Sequence, residues 1–511
     1  MADGNDKTAS VEESHKTPTT TAATDTDTDT YDDLPPRPDG WMYKAFKLGS
    51  HHYWYASPRV QLLMVSLVCF LCPGMFNALS GLGGGGQLDS TAQTQANTAL
   101  YSTFAVVGFF AGSIANRLGL RLTLSFGGVG YCIYAASFLS FSHTQNRGFV
   151  TFAGAFLGVT AGLLWAAQGA IMMSYPPEDE KGRYISWFWI IFNMGAVIGS
   201  LIPLAENIQN RAGAVTDGTY AAFIVLMFCG AVVALFLCNA GTVQREDGSR
   251  VILKKNPSWQ SELYGLWETF RDHWWILLLF PYFFSSNIFY TYQTNGLNLT
   301  AFNTRTRALN NLLYWLAQII GAVVFGYGLD VSRIRRTRRA RGAYVVLVVL
   351  TFVIWGGGYA WQRQQPHRSE ARQDIDWTDG GSRFFGPMFL YFFYGFFDAA
   401  WQTSIYWYMG AISNSSRTAA NLAGFYKGLQ SAGAAVYWAL DSRQLDYSTM
   451  FYSTWGLLAG SLLLAAPVVF MRITDTTDVE RDIKGTGDTV ENVVAPGALG
   501  AEGKKAETET A

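Results

Sequence analysis

Twelve long apolar runs occupy most of the chain between residues 60 and 470, at 60–80, 97–115, 120–141, 149–173, 184–204, 220–239, 274–294, 309–330, 343–361, 384–406, 418–438 and 448–470. Each is long enough to cross a hydrocarbon layer about 30 Å thick. A segment in lipid has no water for its backbone polar groups, so each run must be a helix. The fold class is therefore an all-α membrane protein with twelve transmembrane helices. Only 15% of the residues are Asp, Glu, Lys or Arg, against about a quarter in soluble domains. That scarcity excludes a disordered chain and a basic nucleic-acid binder, so no nucleic acid is expected as a partner.

The longest connection inside the bundle, 240–273, contains QREDGSRVILKKNPSWQSELYG and divides the runs six and six. The expected order is a disordered tail over 1–55, a six-helix half over 56–240, a linker over 241–273, a second half over 274–471 and a disordered tail over 472–511. Both tails are rich in Thr, Asp and Glu, too polar to bury a core. Residues 1–40 have no basic stretch followed by an apolar run, so no cleaved signal peptide is expected. With the N-terminus in the cytoplasm, the inner segments hold 23 Lys and Arg and the outer loops hold 9. That asymmetry places both termini and the linker in the cytoplasm. The cluster Arg333, Arg335, Arg336, Arg338, Arg339 and Arg341 then reads as an anchor against anionic lipid.

Several chemistries find no residues. The five cysteines lie within the runs and read as small apolar core residues. The six histidines fall outside the runs or at their ends, the glycine run 83–86 lacks the GK[ST] of a phosphate loop, and no catalytic constellation is present. No metal site, cofactor or enzymatic activity is expected.

Two corresponding turns carry a pattern. At the junction of runs two and three lie Gly112, Asn116, Arg117, Gly119 and Arg121. At the junction of runs eight and nine lie Gly326, Asp330 and Arg333. Each places Gly four residues before a polar or acidic group, with Arg following. The pattern resembles the cytoplasmic signature of the major facilitator superfamily, in which an acid paired with arginine holds two helices together until the gate moves. Asn116 stands where that signature has an acid, so the charged latch is expected at Asp330.

Four further stretches narrow the resemblance: residues 73–87 (PGMFNALSGLGGGGQ), 164–171 (LWAAQGAI), 175–183 (YPPEDEKGR) and 424–433 (GFYKGLQSAG). Together they resemble the fungal branch of the uncoordinated-ninety-three-like (Unc-type) family, a divergent arm of that superfamily, over roughly residues 55–470. The resemblance implies that runs one, four, seven and ten line a central cavity, where they would supply Asn77, Gln168, Asn287 and Asp398, with Asn193 and Glu206 from run five. It also implies two functions. One is a secondary transporter moving a small solute or ion by alternating access. The other is a transport-inactive partner of membrane proteins such as channels or receptors, as animal members are. Either would sit in a plasma membrane or an endomembrane.

Asp398 and Lys427 are the opposite charges well inside the runs. At 1.5 Å per residue they fall within about 3 Å of each other in depth, and neighbouring runs usually pack together. They are expected to form one charge-paired site, with Gln402 and Gln430 on the same faces. The pair would serve either ion or substrate binding, or only the joining of two helices. Asn298 opens the sequon Asn298-Leu299-Thr300 in an outer loop and is a candidate glycosylation site.

Overall fold

The computed structural model describes residues 38–48, 51–81, 90–177, 180–209, 217–251, 274–365, 375–413 and 415–476, with single positions between 260 and 271 and at 368. Twelve helical segments follow in chain order. The first, α1, runs through Pro58–Cys69, a π-helical stretch Phe70–Gly74 that holds Pro73, and Met75–Gly81. Then come α2 (Ser90–Leu118), α3 (Leu120–Thr144), α4 (Arg147–Ser174), α5 (Lys181–Gln209) and α6 (Asp217–Leu235). In the second half, α7 is broken into Trp274–Leu279, Phe280–Phe284, Phe289–Thr291 and the π-helical Tyr292–Leu299. It is followed by α8 (Thr304–Leu329), α9 (Arg336–Gln362), α10 (Gly381–Ile412), α11 (Ser416–Ser442) and α12 (Tyr447–Met471).

Among the described residues, nine helices are long and apolar enough to cross a membrane. The three positions that fall short are α7, α10 and α11. The first is broken, and the other two give apolar length to buried polar groups: Asp398, Gln402, Thr403 and Ser404 on α10, and Asn421, Lys427, Gln430 and Ser431 on α11. Polar groups in hydrocarbon are costly and tend to mark functional positions. The shortfall in hydropathy therefore falls on the helices that hold the polar centre.

The two halves meet along glycine seams. A Cβ on Gly108 of α2 would lie 2.6 Å from Gly428 Cα of α11, and one on Gly112 would lie 2.4 Å from the Ala420 carbonyl oxygen. Gly182 of α5 and Gly326 of α8 meet as closely on the other side. Small residues let helix backbones approach where lipid supplies no hydrophobic drive between helices. At the turn from α2 to α3, Gly119 adopts φ +83°, which joins the two helices through a single residue.

The folded region begins earlier than the expected tail boundary at residue 55. Phe46–Leu48 (β1) and His51–Tyr53 (β2) pair antiparallel. Tyr43 donates to the Thr242 carbonyl at 2.8 Å, Gln244 N–H donates to the Ala56 carbonyl, and Trp54 is buried. The aromatic residues of 41–55 give this stretch a face to bury, which the Thr/Asp segment before it lacks. Residues 1–37, 82–89 and 477–511 lie outside the described residues, and with them the glycine run and most of both expected tails.

Candidate functional site: a polar centre between the halves

Asp398 sits near the middle of α10, fully buried. Its Oδ2 accepts from the Tyr290 hydroxyl, from Gln318 Nε2 at 2.6 Å and from the Tyr314 hydroxyl at 3.3 Å, while Oδ1 accepts from Gln402 Nε2 at 2.7 Å. Donors from α7, α8 and α10 itself thus converge on one carboxylate, and the break in α7 brings its tyrosine there. Gln402 continues the chain by accepting from Gln430 Nε2 at 3.2 Å. Gln430 in turn bonds Ser286 and Asn287 at 2.9 Å and accepts from Lys427 Nζ at 2.7 Å.

Asp398 and Lys427 do not form the expected ion pair. Depth along the helices places them together, but rotation about the helix axes does not. Lys427 folds back one turn onto Gln430 of its own helix. Its ammonium lies 4.4 Å from the Trp165 ring centroid, 4.8 Å from Tyr426 and 5.5 Å from Tyr406. Aromatic faces attract a cation through the ring quadrupole, so three rings from α4, α10 and α11 hold it. The two charges communicate through Gln402 and Gln430.

The other expected residues divide. Gln168 joins the site across the halves by accepting from the Tyr406 hydroxyl at 3.1 Å, and its Nε2 has no partner among the described residues. Asn193 is buried on α5 with both amide atoms unpartnered, and Asn77 is half-buried on α1 with no bond to a described residue. The side chain of Glu206 lies outside the described residues. Asn298 is not on an outer loop. The π-helical end of α7 carries it into the bundle, where its side chain donates to the Arg307 carbonyl and accepts from Asn310 at 3.0 Å. An amide so engaged and 6% exposed is closed to a glycan.

At the gate, Asp330 caps the end of α8 and is buried, but it does not pair with Arg333, which is exposed. Its Oδ2 accepts from the Arg183 backbone N–H at the first turn of α5, and Oδ1 lies 3.8 Å from Arg339. A carboxylate on free N–H groups at a helix start is favourable twice over, by capping and by the helix dipole. Nearby, Lys181 donates to the Gly410 carbonyl, joining α5 to α10. In the first half Gly112 makes the seam with α11, while Arg117 is exposed, Arg121 is half-buried, and Asn116 Nδ2 is buried without a described partner. All these contacts lie on the side of the bundle that bears the linker. Toward the far side, the hydrogen bonds between halves thin to Asn311 with Ser200 at 3.4 Å among the described residues. A cavity of about 750 Å³ opens elsewhere, on the outside of the bundle between α9 and α10, and shares no residue with the polar centre.

Residues 60–367 match the Major Facilitator Superfamily model, more than half of the chain. An UNC93-like protein of Schizosaccharomyces pombe is 50% identical over 461 residues, covering 89% of this chain and 92% of its own. The chain belongs to the UNC93-like branch of the major facilitator superfamily. UNC93-like protein 1 of Arabidopsis thaliana is 43% identical, with 84% of this chain and 94% of its own covered. The fold is that of the E. coli fucose:proton symporter FucP (TM-score 0.55, 12% identity, 80% and 98% of the two chains) and the proton:xylose symporter XylE (TM-score 0.57, 11%, 82% and 97%).

In this UNC93-like chain a latch at Asp330 would make closure depend on pH. Burial pushes the Asp330 carboxyl up from 3.8 to about 6, against the Arg183 and Gly182 N–H groups that pull it down. The closed form therefore binds a proton that a hydrated carboxyl would release. That contribution is complete below the ordinary value and is lost as pH rises through about 6. Labelling of a cysteine placed at Ser186, which the closed α5–α8 seam buries, should rise across this window in the parent and stay flat in Asp330→Asn, which keeps an acceptor but cannot titrate. Asp330→Ala removes the cap and should favour opening by about 1 kcal/mol, a several-fold change in population. Equal labelling of all three at every pH would contradict the latch.

Proposed function

We propose that this integral membrane protein is a secondary transporter that moves a small solute or ion by rocking its two halves about the polar centre. The observation that carries the reading is the buried Asp398–Gln402–Gln430–Lys427 chain, reaching across the halves to Trp165 and Gln168. A merely structural seam would be cheaper to build from apolar residues, since buried charges are rarely worth their desolvation. The glycine seams that close the linker side support the same reading, as two packed faces able to part. Basic residues on the linker side favour a cytoplasmic linker and cytoplasmic termini. In this reading Asp398 takes up and releases the coupling proton, because the Tyr290 and Tyr314 hydroxyls that donate to the carboxylate can turn to accept from the acid.

Metabolite and ion contents should therefore differ between cells lacking the protein and cells complemented with it. Asp398→Asn should reach the membrane but fail to restore the profile. Full restoration by Asp398→Asn would refute the role of this carboxylate. Co-purifying membrane proteins with no change in any solute would favour the regulatory alternative.

A further inference from the structure

Beside Lys427 the unspent hydrogen-bonding groups are mainly donors, while on the Asp398 side Gln318 Oε1 is an acceptor without a described partner. Asp398 Oδ2 accepts from Tyr290, Tyr314 and Gln318, and Oδ1 accepts from Gln402. A carboxylate has about four lone-pair sites, so these four donors already support its charge. Lys427 has three N–H donors and gives one, to Gln430 Oε1. Gln168 Nε2, whose amide oxygen is tied to Tyr406, gives none to any described residue. Gln168 lies one turn from Trp165 on α4, and Trp165 and Tyr406 both face the Lys427 ammonium. The Asn193 amide is likewise unspent, one turn beyond Trp189 on α5, whose ring packs on Tyr406 at 6.4 Å.

The charge balance points the same way. Among the described residues no carboxylate lies within 4.0 Å of Lys427, whose ammonium bonds Gln430, and ring faces hold a cation without neutralising it. What the site lacks is a counter-anion beside Lys427.

We propose that the transported solute is a small monovalent anion, which binds Lys427 at the seam between α4, α10 and α11 with Gln168 as a second donor. This rests on the transporter reading above and names its substrate class. Ring faces attract the ammonium and repel an anion, so the anion takes the unspent N–H groups of Lys427 rather than a ring face, and Asp398 is reached only through Gln402 and Gln430.

The test uses the full chain in proteoliposomes on a solid-supported membrane. Sodium chloride, nitrate, acetate and lactate are exchanged at constant sodium, while potassium, ammonium and tetramethylammonium chlorides are exchanged at constant chloride. Labelled glucose and xylose uptake covers neutral solutes. At least one anion should give protein-dependent transport, read as a current or, where one proton accompanies the anion and the cycle is electroneutral, as a change in a pH dye trapped in the lumen. Lys427→Gln should weaken its apparent affinity by about ten- to a hundredfold, the loss of one charged hydrogen bond. Because that variant could fold poorly, the parent protein is also melted in the same salts at fixed ionic strength. The active anion should raise its melting temperature, as a ligand of the native state must. Signals confined to the cation or neutral series would overturn the anion assignment and leave transport standing. Anion transport that Lys427→Gln leaves unchanged would overturn the site. Silence in every series, with no melting shift, would overturn both the assignment and the transporter reading.

Discussion

Replacing Asp398 by alanine should be the most damaging single change in the chain. Tyr290, Tyr314, Gln318 and Gln402 all spend donors on this carboxylate, and a buried donor left without a partner costs about 1–3 kcal/mol. Lys427 would also lose the negative charge it communicates with through the two glutamines. Removing one member of a buried charged network typically costs about 3–5 kcal/mol, a large part of a domain's stability. The expected result is little monodisperse protein on size exclusion and a melting temperature too low to measure.

Lys427→Gln should be milder, because Asp398 keeps four donors of its own. This asymmetry separates the observed network from a direct ion pair. In an ion pair the two single variants would be comparably harmful, and Asp398→Asn combined with Lys427→Gln would rescue both. Equal harm followed by rescue in the double variant would contradict the network described here.

A second large effect is expected at Gly108. A Cβ there would lie 2.6 Å from Gly428 Cα and 2.7 Å from its nitrogen. Backbone atoms cannot step aside as side-chain ends can, so Gly108→Val forces α2 and α11 apart. Overpacking of this kind costs about 1–3 kcal/mol, which lowers the closed population by roughly five- to a hundredfold. Each half retains its internal packing, including the contact of α2 with α4, where Gly154 and Gly158 lie against Ala96 and Leu100. The variant should therefore reach the membrane as the parent does, while a cysteine at Ser186, buried in the closed seam between α5 and α8, becomes readily labelled. Loss of folded protein with no gain in labelling would place the seam in the fold rather than in the moving interface.

Much of this was legible in the sequence, and what was not has a common cause. The apolar runs place the twelve segments, because lipid allows a helix nothing else. Rise per residue places Asp398 and Lys427 at similar depth. Depth does not give rotation, so the sequence could not show that Lys427 turns to Gln430 and three rings rather than to Asp398. Gln318 and Tyr314 on α8 and Tyr290 on α7 were missed as partners of the carboxylate. The signal that could have found Gln318 is an amide in the middle of an otherwise apolar run. The tyrosines give no such signal, since an aromatic residue in a membrane helix is ordinary. Asn298 was placed on a loop because the expected run ends at 294, whereas a π-helical stretch carries α7 on to Leu299. Beside Asp330 the sequence offers several arginines, and the turn after α8 brings Arg339 to it, together with the α5 backbone that the sequence does not reveal.

The central claim is that the two halves part and rejoin on the linker side. Pulsed dipolar spectroscopy between spin labels at Leu118 of α2 and Ser332 after α8, both exposed on that side, measures this directly in lipid nanodiscs. The account predicts a short distance that dominates in the parent and a longer one that grows in Asp330→Ala and further in Gly108→Val. A single short distance in all three proteins would contradict it.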